Sequence, residues 1–240
     1  MTREDLNVFN NPKLTAEAFG DYLMLQAETK DKFHCALSGG STPKLLFDYL
    51  AEKHKLDAIW KRIHFYWGDE RCVPPDHEES NYKMTKEHLF NRIMIPEENI
   101  HRIKGENDPE QEAIRYSEEL LELVPTLDGK PVFDMIILGM GEDGHTASIF
   151  PDQMDLLSSE KICEVATHPE SGQKRVTLTG PVINAAYEVV FLVTGKAKAP
   201  KMAEIFNQSG NWQSYPAAHI DPEIGVSQWF VDGGAASEVK

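Results

Sequence analysis

Short apolar runs separated by helix-length segments recur along most of this 240-residue chain, and that alternation restricts the fold more than any other feature. Residues 33–37 (FHCAL) are apolar and followed by a glycine turn, which suits a buried strand better than a helix. Comparable runs lie at 63–67 (IHFYW), 132–138 (VFDMIIL), 161–166 (KICEVA), 175–179 (RVTLT), 188–194 (EVVFLVT) and 227–231 (SQWFV), several of them rich in β-branched and aromatic residues.

Helix signatures fill the intervals. Thr42 and Pro43 read as an N-cap and first helical residue before Leu45, Leu46, Tyr49 and Leu50. A second helix starts at Ser80 and carries Tyr82, Thr85, Leu89 and Ile93 at steps of three, four and four. A third opens at Asp108–Pro109, with Ala113, Tyr116, Leu120 and Val124 as its buried stripe. Gly180–Pro181 leads into VINAAY, and KAKAPKMAEIF follows from 196, where Pro200 obscures the helix start. Strand, helix and strand repeated in this way predict an α/β fold: a Rossmann-like, mainly parallel sheet with helices on both faces. No repeat or long linker interrupts it, so residues 1–240 are expected to form a single domain.

Charge narrows the partners. Asp and Glu number 39 against 24 Lys and Arg, a net charge of −15, which argues against a nucleic-acid or anionic-membrane surface. The start has no apolar leader pattern and no stretch approaches the roughly 18 apolar residues of a membrane span, so a cytoplasmic location is expected. The three cysteines, Cys35, Cys72 and Cys163, are scattered, which suggests neither a disulfide framework nor a thiolate metal site. His77, Glu78 and Glu79 begin like a zinc-protease helix but lack the second histidine four positions on, so no metal is expected there.

In sheets of this kind ligands bind beyond the carboxyl ends of the strands, and three loops there concentrate chemistry. SGGSTPK (38–44) places two glycines and two hydroxyls at a helix start, an arrangement suited to cradling a phosphate, although it is neither a Walker motif nor GxGxxG. GDERCVPPDHEESN (68–81) follows an apolar strand. Strand alternation would turn Asp69 and Arg71 to one side and Glu70 to the other. DMIILGMGEDGHTASIFP (134–151) runs through three glycines to Asp143 and His145, a spacing at which a carboxylate can orient an imidazole for base chemistry. No GxSxG elbow is present, and Ser148 falls in a stretch expected to be helical, so water is a better nucleophile than serine. Arg175 and Lys198, each at a strand end, are the remaining basic candidates.

Together SGGSTP, GDERxVPxxHxxSN, LGMGxDGHTASxFP, RVTLT and GxxK, in this order, resemble the 6-phosphogluconolactonase family from about residue 36 almost to the C-terminus. The tail YPAAHIDPEIGVSQWFVDGGAA is similar to that family's ending, with a Trp-containing strand and a terminal helix. The resemblance implies hydrolysis of 6-phospho-D-glucono-1,5-lactone to 6-phospho-D-gluconate in the oxidative pentose phosphate pathway. It implies no metal or organic cofactor, and a small phosphorylated sugar lactone as partner; the chain itself is expected to be a monomer or small homo-oligomer. By the same resemblance Gly39, Gly40, Ser41, Thr42, Arg175 and Lys198 hold the 6-phosphate, and the lactone carbonyl reaches Asp69, Arg71 and His145, with Asp143 orienting the imidazole. Glucosamine-6-phosphate deaminases share the fold and an Asp-Gly-His element and give the alternative reading. Arg71 after Asp69 and Glu70, and Thr146-Ala147-Ser148 after His145, favour the lactonase. A non-catalytic sugar-phosphate sensor ranks third.

Overall fold

A computed structural model describes residues 5–240. The chain runs β1 (Leu6–Phe9), α1 (Pro12–Glu28), β2 (Phe33–Leu37), α2 (Ser41–Lys53), β3 (Ile63–Trp67), β4 (Asp69–Arg71), α3 (Asn81–His88), α4 (Pro109–Leu123), β5 (Thr126–Leu127), β6 (Lys130–Pro131), β7 (Met135–Leu138), β8 (Cys163–Thr167), β9 (Lys174–Leu178), α5 (Gly180–Asn184), β10 (Glu188–Val193), α6 (Ala199–Phe206) and β11 (Val226–Asp232). Six strands form a wholly parallel sheet in the order β1-β11-β10-β7-β2-β3. Every residue of β2, β7 and β10 is buried, as continuous apolar runs require when both faces are covered. Adjacent residues of β11 show the covering. Phe230 packs on Phe19 of α1, and Trp229, which points the other way, packs on Phe206 of α6 and stacks on Phe191 of β10. Helices therefore lie on both faces, as the alternation predicts.

Connectivity reverses between β2 and β7. From β2 the chain steps outward to β3, whereas β7, β10 and β11 build away in the opposite direction. Such a reversal opens a crevice beyond the carboxyl ends of the two central strands.

Several expectations need correction. The DER triplet is a short strand, β4, in a separate antiparallel sheet ordered β4-β9-β8, so the 161–166 and 175–179 runs do not join the parallel sheet. No helix separates those two runs, and a hairpin can only pair them antiparallel. The 132–138 run begins its ladder only at Met135, because Asp134 instead accepts the His34 backbone N–H. The Thr42–Pro43 cap moves back: Gly40 occupies the cap position with φ +110° and Ser41 opens α2. Ser80 and Asp108 cap α3 and α4 as expected, accepting from Lys83 N and Gln111 N. Helix α3 stops at His88, so Leu89 and Ile93 are buried beyond its end. Ser148 lies in a turn, not a helix, and residues 233–238 form turns where a terminal helix was expected. Strand β1 and helix α1 were not foreseen. No helix among the described residues is long and apolar enough to cross a membrane.

Glu188, at the start of β10, is a buried carboxyl that accepts hydrogen bonds from Tyr22 Oη and, at 2.9 Å, from Gln228 Nε2. Burial pushes its pKa up, against the Tyr22 hydrogen bond that lowers it. A raised carboxyl pKa favours folding most below the unfolded value of about 4.3, and the benefit is lost as pH rises through the folded value. Glu188→Gln is therefore expected to gain thermal stability relative to wild type on going from pH 4.5 to pH 7, checked by melting both proteins at the two pH values.

Candidate active site

The crevice at the reversal is a pocket of about 210 Å³, and four parallel strands deliver its walls. The turn after β2 contributes Ser38, Gly39 and Gly40, and the turn after β7 contributes Gly139, Met140 and Gly141. Beyond β10 comes Lys198, and β3 leads directly into β4, which presents Asp69 and Arg71. Arg175 of β9, Asn81 at the start of α3, and His145 and Ala147 complete the lining.

No side chain among the described residues caps α2, so its first-turn N–H groups and the positive end of its dipole are available to a ligand. A Cβ at Gly39 would sit 1.8 Å from Asn81 Oδ1, so only glycine lets this turn approach α3 so closely.

Strand alternation separates the DER triplet as expected. Asp69 and Arg71 line the pocket, while Glu70 turns away and accepts from the backbone N–H groups of Arg71, Asn81 and Tyr82, each at 2.8 Å, and from Ser80 Oγ at 3.1 Å. Burial pushes the Glu70 carboxyl up against those backbone donors. Glu70 thus fixes the N-terminus of α3, and Asn81 Nδ2 ties back to the Asp69 carbonyl at 3.0 Å. Arg71 Nη1 donates to the Glu79 carbonyl at 2.6 Å, and Arg175 sits directly across the ladder from Arg71. The Nε atoms of both arginines are buried without a hydrogen-bond partner among the described residues. Burial lowers the Arg175 pKa and Asp69 opposes that. Burial likewise lowers that of Lys198, against the charges of Glu142 and Asp143.

His145 Nδ1 lies 2.6 Å from Asp143 Oδ1, which also accepts the His145 backbone N–H at 3.1 Å. Burial would raise the Asp143 carboxyl, but these hydrogen bonds and the imidazole charge together hold it at about 2. An ionised carboxylate only accepts, so Nδ1 carries the proton and Nε2 is the basic nitrogen of the neutral ring. Buried Phe150 backs this corner, with the His145 ring at 4.8 Å and the Arg175 guanidinium at 5.5 Å from its centroid. Behind the loop, Gly144 adopts φ +87° against Tyr215.

The model of the family described as glucosamine-6-phosphate isomerases/6-phosphogluconolactonase matches residues 12–229. The chain belongs to this family. A 6-phosphogluconolactonase of Haemophilus influenzae is 46% identical over 213 residues, covering 88% of this chain and 90% of the relative. Among solved structures, 6-phosphogluconolactonase from Trypanosoma brucei superposes with a TM-score of 0.88 at 27% identity, covering 98% of each chain. A monomeric glucosamine-6-phosphate deaminase, at 19% identity and a TM-score of 0.83 over 99% of this chain and all of its own, has the same fold.

Within this family framework most of the sequence-derived candidates converge. Gly39, Gly40, Asp69, Arg71, His145, Arg175 and Lys198 line one pocket, with Asp143 behind His145. Ser41 and Thr42 are not among its lining residues: Ser41 is exposed at the first turn of α2, and the Thr42 hydroxyl is engaged with Thr194 Oγ1 at 2.8 Å. The β4–β9 ladder also sets Arg175, a phosphate candidate, beside Arg71, a candidate for the chemistry. Sequence reasoning passed over Asn81, Met140 and Ala147. Asn81 had a signal, since it closes the GDER loop at a helix start, whereas the other two are placed only by the course of the glycine turn.

A Cβ at Gly141 would lie 2.2 Å from His145 Nδ1 and 2.4 Å from Asp143 Oδ1. Gly141→Ala should therefore displace the pair and lower turnover by about 10²-fold, the scale of a 1 Å misplacement. Steady-state kinetics beside circular dichroism checks this, and an unchanged rate in a folded variant would contradict it.

Proposed function

We propose that this chain hydrolyses 6-phospho-D-glucono-1,5-lactone to 6-phospho-D-gluconate. The observation that carries the reading is the His145 ring, held by ionised Asp143 in a pocket that also gathers Arg71, Arg175, Lys198 and the open N-terminus of α2. Its membership of the family, and its 46% identity to a 6-phosphogluconolactonase, point the same way.

In this reading the α2 N-terminus with Gly39 and Gly40, together with Lys198 and Arg175, binds the 6-phosphate, while the lactone carbonyl lies toward His145 and β4. His145 Nε2 takes a proton from water as it attacks C1, Asp143 stabilises the imidazolium, and Arg71 stabilises the oxyanion that develops. The imidazolium then returns the proton to the departing ring oxygen, so proton and charge balance without a cofactor. Asp69 orients Arg71 or a sugar hydroxyl. The acidic net charge favours this small substrate over a nucleic acid. The three free thiols agree with a reducing, cytoplasmic compartment, and one hydrophobic cluster running from α1 to the C-terminal residues supports reading the chain as a single domain.

Supplying fresh lactone and, separately, glucosamine 6-phosphate distinguishes the two chemistries of the family by acid release against ammonia release. Acid release is expected, and ammonia as the main product would overturn the reading. His145→Ala should lower kcat by about 10²- to 10⁴-fold. Neutralising Arg175 or Lys198 should raise KM more than it lowers kcat, since a phosphate contact is made equally in ground and transition states. An unchanged KM in both would move the phosphate elsewhere.

A further inference from the structure

Ser148 is fully buried, and polar groups of two strands distant from it in sequence, Asp69 of β4 and Arg175 and Thr177 of β9, meet at it. Its Oγ donates to Asp69 Oδ2 at 2.6 Å and accepts from Arg175 Nη1 at 3.5 Å, and its backbone N–H donates to Thr177 Oγ1 at 3.2 Å. A carboxylate only accepts, so the hydroxyl proton goes to Asp69 and the oxygen lone pairs face Arg175.

The backbone that sets this hydroxyl is strained. Ala147, immediately before it, adopts φ +47°, a left-handed conformation disfavoured for a residue with a Cβ. The turn is held from both sides, by Thr146 Oγ1 donating to the Gly139 carbonyl at 2.8 Å and by the Thr146–Ile149 bridge. Strain of this kind persists only where neighbouring contacts enforce it, and here its effect is to aim Ser148 inward at β4 and β9.

From these contacts we infer that Ser148 is a positioning residue for the proposed lactone hydrolysis: its hydroxyl fixes Asp69 and carries that placement across to Arg175. The inference rests on the lactonase reading for its substrate, not for its geometry. Asp69 is held at two points, its carbonyl by Asn81 Nδ2 and its Oδ2 by Ser148. Oδ1 accepts nothing from the described residues and remains for a sugar hydroxyl or a water. Without the Ser148 hydroxyl the carboxylate can rotate and pair directly with the neighbouring guanidinium, which removes Oδ1 from the pocket and pulls Arg175 from its anion.

The test is a double-mutant cycle in the full chain. Ser148→Ala is expected to lower kcat/KM on the lactone about tenfold, the scale of one hydrogen bond to a charged group, with kcat falling as well as KM rising. Adding Ser148→Ala to Asp69→Asn should cost less than twofold more than Asp69→Asn alone, because the hydroxyl acts through that carboxylate. Multiplicative losses would mean a general packing role and overturn the proposal, as would wild-type kinetics in Ser148→Ala. Ser148→Cys keeps a weak donor of similar size and should recover part of the rate, and no recovery in a folded Cys variant also counts against it. Failure of the lactonase reading shows separately, as a wild-type protein that releases no acid from the lactone.

Discussion

The reversal of connectivity between β2 and β7 is the constraint on which the rest of the molecule depends. Parallel strands must all leave the sheet at the same edge, so their turns crowd together, and only where winding changes direction do two adjacent turns diverge. That divergence puts SGG beside GMG. Glycines are needed at both because each turn presses against a working side chain, Asn81 at Gly39 and His145 at Gly141. Neighbouring strands then bring a cation from beyond β10 and the Asp69–Arg71 edge from β3 onward, with no loop long enough to blur their placement.

The smaller antiparallel sheet does different work. It stands at the mouth of the crevice, and its two-residue period turns Asp69 and Arg71 toward the pocket while sending Glu70 into the base of α3. One strand of three residues therefore supplies both site groups and the anchor that holds the opposing helix. Three consecutive charges are tolerated because each has a separate destination, and Glu70 meets four donors where it is buried.

How much of this was legible in the sequence follows from the range of each interaction. Strands β2 and β3 and the caps at Ser80 and Asp108 declare themselves through residues within four positions, and all were read correctly. Helix α1 carries an Asn11–Pro12 start, but its buried side includes Thr15, Ala16 and Gly20, so the apolar stripe is faint. The pairing of β4 with β9 joins residues about a hundred positions apart, and nothing local distinguishes such a strand from a charged loop. The same limit applies at the site. His145 and Asp143 are two apart and their pairing is readable, whereas the Ser148–Asp69 contact spans 79 positions. Thr42 misled because a hydroxyl at a helix start is the usual cap, while here Gly40 takes that position and Thr194 takes the hydroxyl.

The net charge of −15 fits this arrangement once the scale of the field is considered. Summed over the surface it repels extended polyanions, yet within a Debye length of about 8 Å the local cations decide. Burial lowers the pKa of both Arg175 and Lys198, so in the free protein each guanidinium or ammonium is less well solvated than at the surface. In the proposed reading, the phosphate dianion would replace the missing water with charge, at residues whose backbone is set by β9 and by the turn that Asp232 pins through the Gly195 N–H. Cations already partly desolvated lose little further solvation on binding, which is how a strongly acidic protein can bind a small anion without a broad basic face.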